Sequence, residues 1–572
     1  MKKLLLYLKE YKKQTVLAPV FKLFEVILEL TVPFIVSLII DEGINGNDRV
    51  TVIKWSAVLC GFAVIGLGFA VTAQFFAAKA ATGFASNVRK ALFFSIQDMS
   101  YSDIDRFGAS SLITNITSDV NQMQNGLNLT LRLMLRSPFV VVGAVAACFL
   151  TDAGSAVCFA AAVPILTVII YVIMLSGVKL YGKVQASLSK MVLRIRENLG
   201  GVRVLRAFGK EKDESAAFDL ENGEYVKNQI FSGRISALLN PATYIIVNLA
   251  VIAMINTGAV KVNGGRLSTG AVVALYNLSA MVIVELIKLA DFTINVTKSI
   301  SSAKRVSAVL NENTGMEYPD KPAVQSGDTA IKMTDVCFGY GGDNVLENIN
   351  ITVKEGQTVG VIGGTGSGKS TLAALIGRCY DPGSGSVELF GCDVKKYTKA
   401  RLAETVRIIP QKAVLFSGTV RSNLLFGLDG RTDEEMTDAL KTACAYDTVL
   451  NKGGLYAKVE QGGRNFSGGQ KQRLAVAAAL LRRPRILILD DSSSALDYAT
   501  DAEMRENISK LKGMTVINVA QRVSTVRGCD MIIVLDEGKI AGVGTHEELL
   551  SACPVYKSIY DSQTEKSGEA PV

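Results

Sequence analysis

Thr358-Val359-Gly360-Val361-Ile362-Gly363-Gly364-Thr365-Gly366-Ser367-Gly368-Lys369-Ser370-Thr371 passes from a β-branched, apolar run through a glycine-rich turn into a helix start. The turn satisfies G-x-x-x-x-G-K-[ST] with a strand before it and a helix after it, the context that motif requires. Glycines let backbone N–H groups curl around phosphate, and the helix N-terminus adds a favourable dipole. Lys369 is expected to reach the β- and γ-phosphates of a nucleotide, and Ser370 to ligate Mg²⁺. A chance glycine-rich turn would lack both flanking elements.

The texture around this stretch supports it. Short β-branched runs at 358–362, 406–409, 486–490 and 515–519 alternate with helical stretches, which predicts an α/β domain with a largely parallel sheet. Ile486-Leu487-Ile488-Leu489-Asp490 is a buried-strand run ending in a carboxylate, placed to hold Mg²⁺ through water. Upstream, 311–328 carries Gly315, Pro319, Pro322 and Gly327 and reads as a linker.

Ahead of the linker the chain changes character. Hydrophobic residues make up 49% of the sequence and charged ones 20%, with a mean hydropathy of +0.29, which points to a membrane part joined to a soluble part. Residues 55–78, 153–178, 235–260 and 267–284 carry no charge, 137–151 is a shorter clean run, and 14–40 is interrupted only by Lys22, Glu25 and Glu29. A bilayer-spanning helix needs about 20 apolar residues, so six spans are expected, near 14–40, 55–80, 128–151, 153–178, 235–260 and 267–298. Runs two and three, and runs four and five, are separated by roughly 50 residues each. Residues 179–234 alone hold eleven Lys and Arg, whereas the short loops hold only Arg49, Lys261 and Arg266. The positive-inside rule then puts the N-terminus and the long gaps on the cytoplasmic side. The basic start Met1-Lys2-Lys3 lacks a small-residue cleavage site and reads as an uncleaved first helix. Residues 183–230 favour helix and extend the spans, with Ser102–Arg106 and Glu211–Phe218 as short helices at the reversals.

The net charge of +8 is thereby accounted for by topology, not by nucleic acid. Nine scattered cysteines without a C-x-x-C pair, and His546 as the single histidine, argue against zinc and for thiols in a reducing compartment. Among membrane charges, Lys288 is expected to pair with Glu285 and Asp291 at three-residue spacing. Ionisable groups at membrane depth suggest a role in contacting a ligand, which falls to Glu25 or Glu29 and not to the 285–291 cluster, where the sixth helix is expected to run on past the membrane.

Phe466-Ser467-Gly468-Gly469-Gln470-Lys471-Gln472-Arg473 is a Ser-Gly-Gly turn opening a helix about a hundred residues after the P-loop. It resembles the signature motif of ABC ATPases, with Phe466 for the usual leucine. Other positions are similar to that family. Tyr340 resembles the aromatic that stacks on adenine, Gln411 the Q-loop glutamine, Ser494-Ala495-Leu496-Asp497 the D-loop, and Val459–Arg464 the short exporter-specific segment. Phe107–Asp119 resembles the first coupling region, with Asn115 where arginine is usual. The resemblance implies an exporter-type half-transporter: a membrane all-α six-helix domain (1–310), a linker (311–328) and an α/β P-loop nucleotide-binding domain (329–572). Its ATP contacts would be Tyr340, Gly363, Gly364, Thr365, Gly366, Ser367, Gly368, Lys369, Ser370, Thr371, Gln411, Ser467, Gly468, Gly469, Gln470 and Asp490. Of these, Ser370, Gln411 and Asp490 would hold Mg²⁺.

Two positions depart from the family. Asp491 stands where hydrolytic subunits carry Glu, and Gln521 stands at the switch histidine. The shorter carboxylate sits one methylene further from an attacking water, and glutamine cannot carry the charge of imidazolium. Together these resemble the degenerate-site subunit of heterodimeric bacterial multidrug exporters. That resemblance implies a partner half-transporter with intact Glu and His, contact with membrane lipid, a small amphipathic substrate and a multi-pass place in the cytoplasmic membrane. A homodimeric lipid or peptide exporter with two weak sites, and an ATP-gated channel or regulator, are the alternatives.

Overall fold

The computed structural model describes residues 3–312, 316–321, 327–492 and 496–567. It divides into two compact units, Met1–Gln97 with Gly108–Glu312, and Asp98–Phe107 with Asn313–Val572.

The first unit holds six helices long and apolar enough to cross a membrane: Leu4–Ile44, Arg49–Asp98, Ala109–Thr151, Ala153–Gly200, Glu211–Asn263 and Thr269–Leu310. Each is longer than its apolar run, because the flanking Ala-, Leu-, Glu- and Lys-rich sequence keeps helical propensity after the hydrophobicity ends. The third span breaks at Met134 and Leu135 before resuming at Arg136. Pro138 explains the break, since it offers no N–H to the carbonyl of Met134. Glu211–Phe218, expected as a short helix of its own, is instead the start of the continuous helix Glu211–Ala237. The reversal lies just before it, in the short helix Val202–Ala207 and Gly209 at φ +61°. Ser102–Arg106 does lie in a short helix, Tyr101–Phe107, which clusters with the second unit.

Small residues let these helices approach. Ala73, Ala77, Ala80, Ala81, Gly83 and Ala85 are all buried along the second span. A Cβ on Gly83 would sit 2.0 Å from the Tyr11 ring. Leu67, Val71, Leu150 and Val168 stay exposed, as lipid-facing side chains would. The short connections are tied by charge. Asp152 caps the fourth span at Ser155 N (2.8 Å) and pairs with Lys261 Nζ at 2.5 Å. Burial alone would raise the Asp152 pKa, but the bonds from Lys261 and Ser155 outweigh it and hold it at about 2.

Within the spans, Glu285 is not satisfied by its own helix alone. Lys288 Nζ reaches it at 2.8 Å, but Arg136 of the third span also grips it, and Ser137 Oγ donates to its second oxygen at 2.9 Å. Arg136 simultaneously binds Glu29 of the first span at 2.7 Å. One guanidinium thus joins three spans.

The second unit is built on two sheets. β1 (Thr329–Phe338), β2 (Leu346–Lys354), β4 (Ser384–Leu389) and β5 (Cys392–Asp393) form an antiparallel sheet in the order β2-β1-β4-β5. The larger sheet contains β3 (Thr358–Gly363), β6 (Val406–Ile409), β9 (Ile486–Asp490), β10 (Thr515–Val519), β11 (Met531–Asp536) and β12 (Lys539–Gly544), in the order β12-β11-β3-β10-β9-β6. All its pairings are parallel except β11 with β12. Continuous apolar runs such as Val359–Ile362 and Ile486–Leu489 suit strands buried on both faces, and each is buried here. A pair β7 (Gly418–Thr419) and β8 (Lys458–Val459) borders a helical region whose core includes Met436, Leu440, Phe466 and Leu474.

Candidate functional site

Strands β3, β10, β9 and β6 lie side by side, and each delivers candidate residues at its carboxyl end. β3 ends in Gly363, β10 is followed by Gln521, β9 ends in Asp490 with Asp491 next, and β6 is followed by Gln411. Ligands of open parallel sheets bind in the crevice beyond those ends. A cavity of about 330 Å³ is found there, lined among others by Thr365, Lys369, Ser370, Gln411, Asp490 and Gln521.

The P-loop backbone explains its glycines at two positions. Gly368 sits at φ +96°, where a Cβ would also press 2.6 Å from Leu346 Cδ2. At Gly363 a Cβ would meet the Leu535 carbonyl of β11 at 2.1 Å. The loop turns into the helix Lys369–Ile376. Lys369 Nζ folds back onto the carbonyls of Gly363 (2.9 Å) and Gly364 (2.6 Å), and burial lowers its pKa against the pull of Asp491 and Asp490. An ammonium so placed loses solvation that phosphate oxygens can restore.

Ser370 Oγ donates to Asp490 Oδ1 at 2.9 Å. Burial raises the Asp490 pKa despite that bond, with Asp491 adding to the rise and Lys369 opposing it. Among the described residues no group of three or more His, Cys, Asp and Glu could hold a metal unaided. One hydroxyl and one carboxylate fit Mg²⁺, which takes one or two protein oxygens and fills its shell with phosphate and water. Asp491 is at φ +45°, its N–H bonded to the Val519 carbonyl at 2.8 Å. Its Oδ2 accepts from Gln411 Nε2 at 2.9 Å and Gln521 Nε2 at 3.3 Å. The two departures from the motif set therefore touch each other.

The signature residues lie elsewhere. Ser467 caps the helix Gly468–Leu480 in a reciprocal pair with Gln470, and none of Ser467 to Gln470 lines the cavity. Phe466 is buried in the helical region's core with Lys452 Nζ 4.9 Å from its ring centroid, so the larger side chain has a packing role. Tyr340 is exposed and off the cavity, its hydroxyl 3.1 Å from Thr371 Oγ1 and its ring edge-on to Phe338 and Tyr380. Ser494 and Ala495 fall outside the described residues, while Asp497 caps the helix Tyr498–Ser509. Asn115 is buried, and Asp119 beside it receives Arg305 Nε at 2.9 Å. Two positions without a sequence signal support the site. Gln472, fully buried, donates to the Pro410 carbonyl at 3.0 Å, and Gln563 bonds Gln521 O and Val523 N at 2.8 and 2.9 Å.

Residues 15–286 match the family model of the ABC transporter transmembrane region, and 346–494 match that of the ABC transporter proper. The chain is an ABC transporter. An uncharacterized ABC transporter ATP-binding protein of Mycobacterium tuberculosis is 33% identical to it, over 98% of this chain and 97% of that one. Another from Bacillus subtilis, YfiB, is 32% identical over 99% of each. An ATP-dependent lipid A-core flippase of Syntrophus aciditrophicus is 29% identical over 85% of the transporter and 81% of the flippase. A bacterial Atm1-family ABC exporter solved with ATP bound shares the fold, with a TM-score of 0.81 over 98% and 99% of the chains at 23% identity. The transporter therefore has the half-transporter architecture, a transmembrane region joined to an ABC-type ATPase domain, in the fold of that exporter. ABC ATPases bind ATP, generally with Mg²⁺, and ABC exporters work as dimers.

Proposed function

We propose that the transporter is one half of a heterodimeric exporter that moves amphipathic solutes across the cytoplasmic membrane, with its N-terminus and ATP-binding domain in the cytoplasm. It binds MgATP on its own P-loop and turns it over slowly. Its Ser467–Gln470 signature completes the partner's ATP site, where a catalytic glutamate and switch histidine carry out hydrolysis. The observation that supports this reading is Asp491, whose Oδ2 is occupied by the amides of Gln411 and Gln521. A general base needs reach to the attacking water and a neighbour able to manage charge. Here the base is short and neither amide can take up a proton.

Purified alone, the transporter should show near-silent ATPase activity that rises when a half-transporter carrying the glutamate and histidine is co-expressed. Full activity of the chain alone would favour the homodimeric reading, for which the retained carboxylate pair Asp490 and Asp491 is the supporting observation.

A further inference from the structure

Three charges inside the membrane unit line a cavity. It measures about 500 Å³, within the range that takes a drug-sized ligand, and lies between the first, third and sixth spans. Val32, Pro33, Val140, Met281 and Val284 give it an apolar wall. Glu29, Glu285 and Lys288 also line it.

These groups differ in accessibility. The side chains of Arg136 and Glu285 are only 8% and 4% exposed, and each is committed to partners on other elements. Those of Glu29 and Lys288 are 42% and 43% exposed, on either side of that sealed pair. The four charges sum to zero. A ligand carrying one charge would unbalance them: a lone cation at Glu29 competes with Arg136, and a lone anion at Lys288 competes with Glu285. Beside the buried Arg136–Glu285 pair such imbalance costs more than it returns. A molecule bearing both charges satisfies Glu29 with its cation and Lys288 with its anion, and leaves the cavity neutral.

We infer that this cavity is a binding site for zwitterionic amphiphiles, with an ammonium held by Glu29, an anionic group held by Lys288, and the apolar body against Val32, Val140 and Met281. The inference rests on the amphipathic-export reading and narrows its substrate class. Ionisable groups at membrane depth are costly to keep, which fits a role in binding.

The test uses full-length transporter in nanodiscs and four probes that each carry a single oleyl or oleoyl chain: oleoyl lyso-phosphoethanolamine, oleylamine, oleyl phosphate and oleyl alcohol. Equilibrium binding is read without ATP, so slow or absent hydrolysis does not enter. The lyso-phosphoethanolamine probe should bind about tenfold tighter than the others, a difference of about 1.4 kcal/mol. Glu29→Gln and Lys288→Gln should each erase that preference while ATP affinity stays unchanged, whatever stability each loses with its ion pair. Where one of them fails to fold, Glu29→Asp and Lys288→Arg should retain the preference in part. Equal binding of all four probes, or a preference that survives both glutamine variants, would overturn the inference and leave amphipathic export standing. Binding of none of them would overturn both.

Discussion

Gln411 and Gln521, carried on the ends of two different strands, donate their side-chain amides to the same Asp491 oxygen, at 2.9 and 3.3 Å. Asp491, the proposed base position, is thus held by two groups that cannot exchange protons with it. The same contact joins the ends of β6 and β10, so Gln411 and Gln521 act on one point of the site.

Restoring both residues should restore chemistry. Asp491→Glu combined with Gln521→His is expected to raise ATP turnover of the transporter's own site by about 100-fold, the lower end of what a positioned general base supplies. Steady-state phosphate release measures it, with ATP affinity as a control. An unchanged rate would mean that something other than these side chains limits the site.

Burial makes Asp490 a liability until a cation arrives. Its folded-state pKa is raised above 3.8, so its ionised form costs stability above that raised value, and the cost fades as pH falls toward 3.8. Asp490→Asn should therefore melt higher than the parent at neutral pH without nucleotide, with the gap closing on acidification. Adding MgATP should stabilise the parent more than the variant. A variant that melts lower at every pH would contradict the assignment.

Arg136 holds Glu29 and Glu285 together across three spans. Arg136→Ala leaves Glu285 buried without that partner and is expected to cost about 3 to 5 kcal/mol, whereas Arg136→Met with Glu285→Leu should recover most of it. Thermal unfolding in detergent reads both. Equal losses in the single and double variants would show that packing, not charge, dominates there.

Much of the candidate site was legible because each of its motifs is short and attached to the end of a strand. Gly363–Ser370, Gln411, Asp490 and Gln521 are far apart in sequence, yet the order β3-β10-β9-β6 brings their strand ends into one row. The six spans were legible from their apolar runs, but their lengths were not, since helix continues through polar residues once hydrophobicity stops reporting it. Contacts made across large separations left no local mark. Arg136 meets Glu285 across 149 residues, and Gln563 meets Gln521 across 42. Glu285 therefore read as one member of a helical ion pair, although a buried arginine two residues before Pro138 also grips it.

The central claim is that this chain's own base position is dispensable to the assembled exporter. ATPase activity of the reconstituted heterodimer carrying Asp491→Ala tests it most directly. The account predicts activity within about twofold of the parent complex, since removing a group that makes no transition-state contact leaves the rate intact. Loss of turnover comparable to removing the partner's catalytic glutamate would contradict it.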